Sequence, residues 1–131
     1  MSLTKPFYPH ESDNKIMVKK DRTEVGNWTN DLEYINEELE QLMDIENRIL
    51  HSSDLYGQLH AIRRENTLRL GNLYRYENSI RNAMECDTTE CDAYYLNNHE
   101  RHRNTYREHL EKYRMLKSKV LSKIVLTVKK K

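Results

Sequence analysis

The sequence predicts an all-α fold: an elongated, antiparallel three-helix bundle running up-down-up, coiled-coil-like in its packing, with a flexible N-terminal arm. Three observations point there. The 131 residues include only 3 Gly and 2 Pro, and both prolines lie within the first nine positions, too few turn formers for a sheet protein. Apolar residues recur from Trp28 onward at alternating spacings of four and three, the mark of a helix buried along one face. Charge is segregated along the chain. Residues 30–47 carry seven acidic residues and no Lys or Arg, whereas residues 101–131 carry eleven basic residues against Glu108 and Glu111. The net charge of +1 is thus the sum of two oppositely charged surfaces.

Residues 1–26 hold Pro6, Pro9 and Gly26, and their apolar cluster Ile16, Met17, Val18 sits among lysines, so they are read as the arm. The bundle is expected over 27–128, with a basic tail at 129–131. Its first helix, about 28–51, follows from the stripe Trp28, Leu32, Ile35, Leu39, Leu42, Glu46, Ile49. The second stripe, from Leu55 through Leu59, Ile62, Asn66, Arg69 or Leu70, Leu73, Tyr76, Ile80 and Ala83, is out of phase with the first. A turn is therefore placed at Ser52 and Ser53, with Ser53 and Asp54 as caps of a helix over about 54–85. Asp87-Thr88-Thr89-Glu90 reads as a capping box opening a third helix over about 88–127, whose core phase is taken through Ala93, Leu96, His99 or Glu100, Arg103, Tyr106, Leu110, Tyr113, Lys117, Val120 and Ile124. Folding the three back on one another sets Ile80 opposite Leu96 and Ala83 opposite Ala93. It also sets the acidic residues 31–46 beside the basic residues 101–117.

Polar residues at core-phase positions, Glu46, Asn66 and Arg69, are read as setting register or partner choice, and replacing Asn66 with Leu is expected to raise stability at the cost of oligomer specificity. Tyrosine outnumbers phenylalanine nine to one. Tyr74, Tyr76, Tyr94, Tyr95 and Tyr106, with Arg63, Arg64, Arg69 and Arg75, form the expected interaction face. A basic, apolar C-terminal tip of Lys117, Lys119, Lys123, Lys129, Lys130 and Lys131 could meet an anionic surface or nucleic acid.

His99, His102 and His109 share a face of the third helix. With Asp31 and Glu33 brought alongside they make the metal-site alternative, although no Glu-x-x-His pair of the di-iron type precedes any of them. Cys86 and Cys91 are read as free thiols beside the second turn. No phosphate-binding glycine loop, nucleophile elbow or His-Glu-x-x-His motif occurs, so no catalytic residue and no cofactor is assigned. The resulting expectation is a non-catalytic, cytoplasmic module that assembles with a copy of itself or with a helical protein partner.

Overall fold

The computed structural model describes residues 13–85 and 89–129, the side chains of Asp13, Asn14, 81–85 and Asp92 excepted. All the secondary structure among the described residues is helical. Helix α1 spans Asp13–Ile45 and ends in a π-helical turn over Glu46–Leu50; α2 spans Ser53–Glu85 and α3 spans Thr89–Lys129. The capping box expected at Asp87 and Thr88, and Lys130 and Lys131 of the tail, lie outside the described residues.

Residues 13–26 are the first four turns of α1, not a flexible arm. Val18 and Val25 are wholly buried there. Counting back from Trp28 in steps of three and four gives Val25, Asp21 and Val18, so the heptad phase already governs this segment. Gly26 does not interrupt the helix, because packing on both sides outweighs the roughly 1 kcal/mol disadvantage of one glycine. A methyl group built on Gly26 would meet no atom within 4 Å. Gly26→Ala is accordingly expected to raise stability by about 0.8 kcal/mol, a Tm increase of roughly 3 °C by thermal unfolding. A frayed arm would leave Tm unchanged.

The turn between α1 and α2 falls where the phase break places it, and Glu46 makes it. The Glu46 backbone carbonyl accepts from His51 N at 2.8 Å, closing the π turn, while its side-chain Oε2 accepts from Ser52 N at 3.1 Å. Glu46 is buried and serves this connection rather than pairing across helices. The cap of α2 is Ser52, whose Oγ accepts from Leu55 N at 3.3 Å, and not Ser53 or Asp54. His51 takes the left-handed conformation at φ 47°, which costs a non-glycine residue roughly 1 kcal/mol. The π turn also swings Ile49 out of the stripe, leaving it half exposed.

α2 lies antiparallel to both neighbours. Arg63 meets Glu40 and Tyr74 meets Glu33 on α1, while Glu65 meets Lys112 and Gln58 meets Lys119 on α3. α1 and α3 are therefore parallel, and their cross-links keep a constant sequence separation of 74 to 79 residues. Tyr95 donates to Asp21 at 2.7 Å, Tyr106 to Asp31 at 2.5 Å, and Tyr113 to Glu38, with Lys117 beside Glu38 at 2.9 Å. The acidic stretch thus meets the basic one, but on α3 tyrosine hydroxyls carry much of the contact.

The phase of α3 differs from the expected one. Leu96 is half exposed and Ala93 exposed, so Leu96 does not face Ile80. The inward stripe is Tyr95, His99, His102, Tyr106, His109, Tyr113, Leu116 and Val120, of which His102 and Tyr106 are half-buried and the rest buried. Aromatic rings fill a narrow interior while their polar atoms reach acceptors on α1 and α2.

Candidate functional site

Two buried polar nodes cross the bundle. At the first, Asn66 is 0% exposed at the centre of α2. Its amide nitrogen donates to the Leu32 carbonyl at 2.9 Å and to Asn36 Oδ1 at 3.2 Å. Its carbonyl oxygen is then left to accept from His109 Nε2 at 2.8 Å. Donation from Nε2 makes Nδ1 the bare nitrogen of a neutral ring, and that atom is buried with no partner. Burial, reinforced by Arg69 and Lys112 against Glu65, pushes the His109 pKa below its ordinary value, consistent with the neutral form. One asparagine therefore links all three helices.

The second node is nearer the other end. Tyr76 of α2 lies 2.5 Å from His99 Nδ1, and His99 Nε2 lies 2.8 Å from Glu24 Oε1 and 3.4 Å from Asp21 on α1. A carboxylate only accepts, so Nε2 carries the hydrogen. Arg103 grips Glu24 with two bonds, Nε to Oε2 at 2.9 Å and Nη2 to Oε1 at 2.8 Å, and reaches Glu100 with its third nitrogen. The Arg103 hydrogen bond, with that from His99, holds the Glu24 carboxyl down at about 2 against the opposing effect of burial. Burial pushes the Tyr76 and Tyr95 hydroxyls well above the ordinary phenol range, and hydrogen bonding to Asp21 raises Tyr95 further. The indole of Trp28 stacks between His99 and Tyr106, each ring centroid 5.3 Å away.

The five residues proposed as metal ligands do not converge. Asp31 is bonded to Tyr106 and Glu33 to Tyr74, while His109 belongs to the Asn66 node. His102 stacks on Tyr76 at 4.1 Å, and burial, with His99 and Arg101 nearby, lowers its pKa. The carboxylates at His99 are Asp21 and Glu24, two to three helical turns before Asp31, because the helices are offset by 74 to 79 residues rather than the 70 or so assumed from the turns. Ligand atoms of Asp21, Glu24 and His99 lie within 4.8 Å of one another, close enough in principle to hold a cation. Both Glu24 oxygens, however, are engaged by a guanidinium, which an ion would have to displace. The node works as a saturated network that fixes which turn of α3 lies beside which turn of α1.

No family model, no curated protein and no solved structure matches the chain.

The expected interaction face is divided. Tyr76 and Tyr95 are buried and bonded inside the bundle, and Tyr106 is half-buried with its hydroxyl bonded to Asp31, so little of these three reaches the surface. Arg69 is likewise half-buried and paired with Glu65 at 3.3 Å, and does not bridge helices. Tyr74, Tyr94, Arg63, Arg64 and Arg75 are exposed. The basic tip shortens too, since Lys117 pairs with Glu38 and Lys119 reaches Gln58 on α2, leaving Lys123 and Lys129 exposed at the end of α3. Cys91 is disulfide-bonded, contrary to the free-thiol reading. Cys86 lies outside the described residues.

Sequence reasoning missed Asp21 and Glu24, and placed Tyr95 on the surface rather than at this node. Extending the heptad phase back through Val25 and Val18 would have put Asp21 on the inner face of α1.

Proposed function

We propose that the chain is a non-catalytic helical assembly module that packs, coiled-coil-like, against a second copy of itself through the C-terminal part of α3. One observation carries this reading. Leu121, Val125 and Val128 form a stripe at spacings of four and three and are 46%, 52% and 66% exposed. They lie on a different face of α3 from the buried Leu116 and Val120, with Leu126 also exposed beside them. Apolar side chains in such a row, outside the core, fit a helix-on-helix contact. Lys123 and Lys129 on the same stretch would favour an acidic surface opposite, and the exposed Asp31, Glu33, Glu37, Glu40 and Asp44 of α1 supply one on the same molecule.

Native mass spectrometry of the untagged chain is expected to give a dimer or higher multiple of 15.9 kDa, with Leu121→Asp/Val125→Asp at the monomer mass and of unchanged helicity. A monomeric wild-type chain would overturn the reading. The same spectrum tests the metal-binding alternative, now centred on Asp21, Glu24 and His99, through an added ion mass on each chain. No described helix is long and apolar enough to cross a membrane. Cytoplasmic residence is carried as part of the proposal, and the Cys91 disulfide, more typical of oxidising compartments, counts against it.

A further inference from the structure

We propose that the groove between α2 and α3 holds a binding site for a phosphate group, free or as the head of a small monoester. A cavity of about 190 Å³ lies there, between the two buried nodes, floored by Leu32 of α1. Its polar lining is Arg69 and Asn72 from α2 and Arg101, His102 and Thr105 from α3. Among the described residues, no carboxylate lines it. Two guanidinium groups, an imidazole, an amide and a hydroxyl converging on a space of this size match the donors that surround a tetrahedral oxyanion.

Arg69, in this lining, carries an orphan donor. Its Nε is buried and has no hydrogen-bond partner, although the same guanidinium reaches Glu65 through Nη2 at 3.3 Å. A buried charged donor without an acceptor is costly, and a turn of the Arg69 side chain toward an anion in the adjoining cavity would remove that cost. Arg101 is exposed at the mouth, where it adds charge without being tied to the core. His102 is half-buried, its ring held flat by stacking on Tyr76 at 4.1 Å. The groups facing it are Tyr76 and Arg69 on α2 and His99 and Arg101 on α3, with apolar Leu32 below. Gaining a proton there is opposed by burial and by neighbouring cations, and a bound dianion reverses that balance. Binding of the phosphate dianion and protonation of His102 should therefore favour each other.

The test is a titration of the full chain with inorganic phosphate at constant ionic strength, followed by nuclear magnetic resonance of the Arg69 Nε–H and the His102 ring. The expected result is saturable movement of both signals with phosphate but not with chloride, and a higher His102 pKa in the complex. Arg101→Ala changes an exposed residue and leaves the fold intact; it is expected to weaken binding about ten-fold, the loss of one charge-assisted contact. Arg69→Gln is expected to abolish it. Tighter binding of phenyl phosphate than of inorganic phosphate would assign the monoester, and equal binding the free ion. Absence of saturable movement, or an equal response to acetate, would overturn the proposal.

Discussion

Asn66→Leu is expected to lower the stability of the bundle by about 2 kcal/mol, opposite in sign to what the residue's core-phase position alone suggests. In an isolated heptad seam, trading a buried asparagine for leucine removes an unfavourable polar group. Here the Asn66 carbonyl is the acceptor for His109 Nε2. The other ring nitrogen of His109 is already buried without a partner. Leucine would leave both nitrogens of a 1%-exposed imidazole unsatisfied, and the desolvation cost of the orphaned N–H outweighs the apolar gain. Asn66→Leu/His109→Leu removes both partners together and should regain most of the loss. Thermal unfolding of the two singles and the double gives the coupling directly. An Asn66→Leu chain as stable as the wild type would remove the node from the account. The double variant should also be less sensitive to mild acid. His109 has its pKa lowered in the folded state, so its contribution is present above about pH 6.5 and fades as pH falls through that value.

The second large effect is expected at Glu24. Glu24→Ala strips the Arg103 guanidinium of its bidentate partner and His99 of its shortest acceptor contact. A fully buried pair broken in this way loses roughly 3–5 kcal/mol. The Glu24 and Arg103 side chains are 33% and 25% exposed, so solvent screening brings the expectation to about 2 kcal/mol, or a Tm decrease of roughly 7 °C. The effect carries a pH signature. Glu24 has its carboxyl lowered from 4.5 to about 2 in the folded chain, so its stabilisation is complete above 4.5 and is lost as pH falls from 4.5 toward 2. The Tm difference between wild type and variant should shrink across that interval. A difference that stays constant from neutral pH down to about 2.5 would mean the carboxylate charge is not what Arg103 and His99 hold.

Much of the architecture was legible in the sequence because it depends on pattern. The phase break between Ile49 and Leu55 located the first turn, and the segregated charges identified α1 and α3 as neighbours, as Glu38 with Lys117 bears out. The α3 phase was not legible in the same way. Leu96 is the most apolar side chain in its stretch, yet the buried positions are Tyr95 and His99, whose polar atoms are satisfied only by Asp21, Glu24 and Tyr76 on other helices. Hydropathy scores a side chain by itself and cannot see a partner some 75 residues away. The same blindness cast residues 13–26 as an arm, because Asp21 and Glu24 look solvated until Tyr95, His99 and Arg103 are set against them. The candidate metal ligands failed for a geometric reason: an offset error of a few residues between parallel helices is enough to exchange one pair of carboxylates for another.

The sandwich of Trp28 between His99 and Tyr106 gives the chain an internal optical reporter. It is the single tryptophan, it is nearly inaccessible to water, and its two neighbours both belong to α3. Its emission therefore originates from one place, the contact between the first and last helices. Loosening that contact would admit water to the indole and shift the emission to longer wavelength before helical content needs to change. Separation of α1 from α3 can thus be followed apart from unwinding, in the native chain and without an added label.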